Sequence, residues 1–152
     1  MSHETPSQTA GPYLHIGLLA KGWAPPTSAI ASPDVVLEGR VFDGAGEALR
    51  DALVELWDAS TGQWLRSATD ADSGLYRFEM RRPAAAFVSL FVLARGINRG
   101  LHTRAYLEAA TGDALLAALG ERAATLRAAA EGSGWRFDIR LQGDGETVFF
   151  EP

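Results

Sequence analysis

The stretch Trp135-Arg136-Phe137-Asp138-Ile139-Arg140-Leu141 alternates without a fault. Trp135, Phe137, Ile139 and Leu141 fall on one side, and Arg136, Asp138 and Arg140 on the other. Successive side chains of a strand point to opposite faces, so a period of two predicts a strand with one face on a core and one in water. Downstream, Gln142-Gly143-Asp144-Gly145 turns the chain into a last strand, Glu146 to Phe150. Upstream, further strands are expected at Val35 to Phe42, Ala52 to Asp58, Gln63 to Ala68, Leu75 to Met80, Ala86 to Ala94 and His102 to Glu108. Turns at Asp43 to Gly46, Ser60 to Gly62 and Asp70 to Gly74 separate them. Tyr76 and Phe78 should share a face. Ala86 to Ala94 is almost wholly apolar, which predicts burial on both faces. Only residues 111 to 130 read as helix, with Thr111 as the cap and Gly120 breaking the segment in two. Many short strands at regular spacing argue for an all-β sandwich.

The chain has 152 residues, enough for one domain with a real core. Hydrophobic residues make up 47% and charged residues 22%, an ordinary balance for a globular protein. A net charge of −5 argues against a nucleic-acid partner. With no cysteine, disulfides, thiolate metal sites and a cysteine nucleophile are excluded. Met1-Ser2-His3-Glu4 shows no basic segment leading into an apolar run, and no apolar stretch approaches a membrane span. A cytoplasmic location and no membrane partner are expected.

Residues 1 to 33 carry no strand or helix period. They read as an extended arm, followed by a sandwich domain over residues 34 to 152. Within the arm, Thr5-Pro6-Ser7-Gln8-Thr9-Ala10-Gly11-Pro12-Tyr13 is polar but stiff. Pro6 and Pro12 fix φ, and Gly11 lets another backbone or a ligand come close. Such a segment suits an arm laid against a partner chain.

Three further segments stand beside it: Leu93-Ala94-Arg95-Gly96-Ile97-Asn98, Leu101-His102-Thr103-Arg104-Ala105-Tyr106, and the run from Arg136 to Phe150. In order and spacing the four together resemble the alpha subunits of protocatechuate 3,4-dioxygenase, bacterial intradiol ring-cleaving enzymes. The resemblance implies a β-sandwich of the intradiol dioxygenase type. It also implies a homologous beta subunit as partner in a higher alpha-beta oligomer. That beta subunit holds Fe(III) through two tyrosines and a His-x-His pair. The implied reaction cleaves 3,4-dihydroxybenzoate (protocatechuate) with O2 to 3-carboxy-cis,cis-muconate, a step of the beta-ketoadipate pathway of aromatic degradation. On this chain Phe87 and Ser89 occupy the positions of the His-x-His pair. The tyrosine-bearing turn before it is replaced by Arg81-Arg82-Pro83-Ala84, and the span from Trp57 to Tyr76 is too short for the loop bearing the other tyrosine. No iron is expected on this chain, and no activity of the chain alone. Carried over residue by residue, Thr9, Gly11 and Pro12 would border the substrate in the partner's pocket, with Tyr13 packing behind. Arg95 would supply positive potential toward the substrate carboxylate. The chain is a shortened form, with its losses in loops.

Each of these residues has a plainer reading. Arg95 can pair a carboxylate at a subunit interface, and Thr9 to Pro12 can be an interface turn alone. His15 reads as an interface donor and His102 as an interface or core histidine. Trp23, Trp57, Trp64 and Trp135 read as packing or interface anchors. Asp70, Asp72 and Gly74 lack the downstream glutamate of a calcium loop and read as a turn. Two rival functions remain: a free-standing transthyretin-like module for binding or assembly, favoured by Asp72-Ser73-Gly74-Leu75-Tyr76-Arg77-Phe78, and a self-contained intradiol enzyme, disfavoured by the missing ligands.

Overall fold

In a computed structural model that describes residues 18–19 and 28–151, the stretch from residue 28 to 151 forms nine strands, one short α-helix and one 3-10 helix. In order they are β1 (Val35–Phe42), β2 (Leu53–Asp58), β3 (Gln63–Ala68), β4 (Leu75–Met80), β5 (Phe87–Leu93) and β6 (Leu101–Tyr106). Then come helix α1 (Ala114–Leu119), a 3-10 helix (Gly120–Leu126), β7 (Ala129–Glu131), β8 (Gly134–Arg136) and β9 (Ile139–Arg140). One sheet runs β4-β1-β8-β7, with β9 also on β1, and the other runs β3-β2-β5-β6. The second is antiparallel throughout, as hairpin-linked strands allow. The first is mixed, because β8 and β9 lie parallel to β1. The architecture is the all-β sandwich that the alternation predicts.

The core fills the space between the sheets. Leu37, Val41, Tyr76, Phe78 and Met80 enter it from the first sheet, and Val54, Leu56, Val88, Leu90 and Val92 from the second. Fully burying an aliphatic or phenylalanine side chain is worth about 1.5–3 kcal/mol, so this layer dominates stability. Trp135, Phe137 and Ile139 are all buried, as their spacing requires. The stretch itself is split into β8 and β9. Register with β1 is kept across the gap, since Leu37 faces Trp135 and Val41 faces Ile139. Between them the Asp138 carboxylate accepts from the Arg40 amide at 2.9 Å in place of a backbone carbonyl, which interrupts the ladder.

Four expectations need correction. First, β5 is fully buried only on its Val88, Leu90 and Val92 face, while Phe87, Ser89, Phe91 and Leu93 form a half-covered outer face. Second, the helix spans six residues rather than residues 111 to 130. Its cap is Asp113, whose carboxylate accepts from the Leu115 and Leu116 amides, and Thr111 lies too far upstream to reach them. Gly120, at φ 56°, ends the helix as foreseen. Third, Ala129–Glu131 is a strand paired with β8. Fourth, residues 146 to 150 run extended without a ladder. That segment crosses between the sheets: the Thr147 amide donates to Arg140 of the first, and the Phe150 amide to His102 of the second.

Upstream of β1, the Ile30 amide donates to the Glu79 carbonyl and the Ile30 side chain packs on the core. The chain from Ser28 is thus laid along β4.

Candidate functional site

The outer face of the second sheet is the unusual surface of this sandwich. Cross-strand register places Trp64 opposite Trp57, Trp57 opposite Ser89, and Ser89 opposite Arg104. One row along, Arg66 faces Glu55, Glu55 faces Phe91, and Phe91 faces His102. Side chains directly opposite on one face are close enough to interact. Accordingly Arg66 forms an ion pair with Glu55, and the Phe91 and His102 rings lie 4.6 Å apart. A groove of about 220 Å³ opens among Trp57, Trp64, Ser89, Phe91 and His102. Trp57 is 47% exposed and Trp64 50%. Trp135, by contrast, is buried in the core beneath the Arg82 guanidinium. His102 stands on the outer face rather than in the core.

Phe87 and Ser89 lie on this same face, two residues apart and pointing the same way. Arg104, across from Ser89, sets its guanidinium 4.3 Å from the centre of the Phe87 ring. A ferric ion calls for anionic or imidazole donors. Here the strand offers a phenyl ring and one hydroxyl, with a fixed cation beside them. These residues do not fit an iron ion, and no chemical step can be drawn through one on this face. Among the described residues, no three His, Asp or Glu side chains gather into a metal-holding group.

Where a long loop would leave β2, the chain instead closes a tight hairpin into β3. Asp58 is its hub, buried at 1% exposure. Its carboxylate accepts from the Ser60 amide and hydroxyl at 2.9 and 2.6 Å, from the Thr61 hydroxyl, and from Gln63 Nε2 at 3.3 Å. Burial acts to raise the Asp58 pKa, but these donors together outweigh it and hold the carboxyl below its ordinary value. Gln63 then reaches on to the Arg81 amide at 2.8 Å and carbonyl at 3.1 Å, tying the hairpin to the end of β4. The Asp70 turn is likewise self-contained, its carboxylate accepting from the Asp72 and Ser73 amides and the Ser73 hydroxyl.

Arg95 stands just beyond β5, in the connection to β6, and is 71% exposed at the side chain. It forms an ion pair with Asp51, from the connection between β1 and β2. The two border an open groove with Arg50. Thr9, Gly11, Pro12 and Tyr13 lie outside the described residues, as do His3, His15 and Trp23. Of the pocket and ligand positions expected from the sequence the structure therefore places three, and it separates them: Phe87 and Ser89 on the sheet face, Arg95 at the sheet end. Arg104 and Asp51 were not foreseen, because only strand register reveals their partners.

Comparison with solved structures assigns the fold. The chain superposes on the dioxygenase domain of a dioxygenase carbohydrate-binding protein fusion from the cellulolytic bacterium Streptomyces sp. SirexAA-E with a TM-score of 0.58. Identity is 20%, covering 93% of this chain and 99% of that one. It superposes on catechol 1,2-dioxygenase from Acinetobacter sp. ADP1 with a TM-score of 0.53 at 21% identity, covering 80% and 58% of the two chains. The fold is that of the intradiol dioxygenases.

No family model matches the chain. Among curated proteins it is 36% identical over 193 aligned residues to the protocatechuate 3,4-dioxygenase alpha chain of Pseudomonas putida, covering 97% of this chain and 96% of that protein. It is 33% identical to the protocatechuate 3,4-dioxygenase alpha chain of Burkholderia cepacia, covering 97% of each. The chain belongs to the family of protocatechuate 3,4-dioxygenase alpha chains. An alignment of 193 positions exceeds the 152 residues of the chain, so it carries gaps where this member is shorter.

Proposed function

We propose that the chain is the alpha subunit of a protocatechuate 3,4-dioxygenase. On this reading it walls the pocket in which a homologous beta subunit, holding the ferric ion, cleaves 3,4-dihydroxybenzoate with O2 to 3-carboxy-cis,cis-muconate. Both oxygen atoms of O2 enter the product, so no further reductant is needed. What supports this reading is family membership over 97% of the chain, together with the face at Phe87 and Ser89 of β5, which with Arg104 of β6 opposite offers no donors suited to iron. A member of this family without a metal-binding face has a role if it shapes its neighbour's site.

What the partner's ferric centre would supply is activation of the dihydroxybenzene ring toward O2. This chain's part is to seat and enclose the substrate. Gly11 lets the arm's backbone approach the ring, and Pro12 presents a flat apolar edge to it, with Thr9 at the border and Tyr13 packed behind. Arg95 provides a planar, permanently charged fork suited to a carboxylate. The arm also keeps bulk water from the reacting ring.

The test is to purify the chain alone, its beta partner alone, and the two together, and to follow loss of 3,4-dihydroxybenzoate. Cleavage at full rate is expected only from the pair, with the iron travelling with the partner. Turnover by the isolated chain would refute the reading.

A further inference from the structure

Leu53 of β2 and Leu93 of β5 are paired across the antiparallel ladder. The residues two before Leu53 and two after Leu93 must therefore emerge at the same end of the sheet. Those residues are Asp51 and Arg95, and their side chains form an ion pair. Asp51 engages one Nη of Arg95 and is 30% exposed, while the Arg95 side chain is 71% exposed. A guanidinium carries five N–H donors in a planar fork, so one carboxylate at one nitrogen leaves donors open. Arg50, exposed beside the pair, gives the groove two cations against one anion. The groove can accept a further carboxylate without losing its first.

We infer that Asp51 is a positioning residue: it holds the Arg95 guanidinium in the orientation that meets the carboxylate of the aromatic substrate. The inference rests on the reading that Arg95 faces that carboxylate. A long, exposed arginine otherwise samples many rotamers, and ordering it on binding weakens affinity by about three- to tenfold. Asp51 makes that selection in advance.

The experiment uses the assembled complex with the iron-bearing partner, carrying Asp51→Asn, Asp51→Glu, Arg95→Gln or the double variant Asp51→Asn/Arg95→Gln. Iron content and thermal midpoint are measured for each. Steady-state constants are taken with 3,4-dihydroxybenzoate, and with catechol (the same ring without the carboxylate) as substrate or competitive inhibitor. Asp51→Asn is expected to raise KM for 3,4-dihydroxybenzoate about three- to tenfold with kcat within about twofold, and to leave catechol unaffected. Asp51→Glu should restore most of the loss. The double variant should be no worse than Arg95→Gln alone, as expected of residues acting through one another. An unchanged or lowered KM in Asp51→Asn, beside a raised KM in Arg95→Gln, would overturn the role of Asp51 and leave that of Arg95 standing. An equal effect on catechol would also overturn it. If Arg95→Gln itself leaves KM unchanged, the pocket role of Arg95 fails and the positioning role fails with it.

Discussion

Gly39 on β1 lies against the backbone of Phe137, so close that a methyl group at Gly39 would overlap the Phe137 carbonyl oxygen. That same carbonyl accepts the hydroxyl of the fully buried Tyr76, and the Phe137 amide donates to Glu38 at 2.8 Å. Gly39 thus permits the seam where the C-terminal strands join the first sheet. Gly39→Ala is expected to destabilise the chain by at least about 3 kcal/mol, since the methyl would meet Phe137 backbone, with the buried Tyr76 hydroxyl beside it, rather than a flexible side chain. A denaturant melt checks it, and a change under about 1 kcal/mol would mean that the seam is loose.

Asp58 predicts a pH dependence. Its folded pKa lies below the unfolded value, so its contribution is fully present above the unfolded pKa of about 4. It is lost as pH falls through the folded value. Asp58→Ala should cost about 2–4 kcal/mol at pH 7, because the Ser60, Thr61 and Gln63 donors lose a charged acceptor. The gap between variant and parent should narrow below pH about 4. Urea melts across that range read it directly. A gap that stays constant into strong acid would show that the carboxylate charge is not what matters.

Among the described residues, four large hydrophobic side chains are exposed: Leu18, Leu19, Trp57 and Trp64. Arg66, beside Trp64 on the outer sheet face, donates to the Leu18 carbonyl at 3.0 Å. Leu18 and the tryptophan pair therefore lie on one surface, and an exposed apolar patch of this kind suits a partner chain. Replacing Trp57 and Trp64 together by alanine is expected to change the chain's own stability by no more than about 1–2 kcal/mol. It should weaken assembly with the partner about tenfold or more. Titration of partner binding decides the matter, and unaltered affinity would place the interface elsewhere.

Much of the fold was legible in the sequence, and for a clear reason. Val35–Phe42, Gln63–Ala68 and Leu75–Met80 begin and end where alternation and turn residues say they should. Period two records burial on one face, and burial is what the sandwich imposes. The helix was overread because alanine-rich sequence satisfies helical propensity without deciding whether a strand partner is waiting. Residues 129 to 131 have one in β8. The last segment is rich in strand formers, Thr147, Val148, Phe149 and Phe150, yet it lies between two sheets and pairs continuously with neither. At the candidate site, the expectation that Phe87 and Ser89 hold the positions of a ligand pair could be counted off from Leu93-Ala94-Arg95-Gly96. The Arg104 cation above Phe87 and the Asp51 clasp on Arg95 could not, because each depends on which strands are neighbours. Local pattern carries no such information.

The central claim is that this chain walls a ring-cleaving pocket whose iron belongs to another chain. The measurement that tests it most directly compares the complex carrying the full chain with one lacking residues 1 to 13. Iron per partner chain and turnover of 3,4-dihydroxybenzoate are read side by side. We predict equal iron and a turnover lowered at least about tenfold, since a misplaced or unshielded substrate loses the benefit of orientation. Unchanged kinetics with equal iron would contradict the claim.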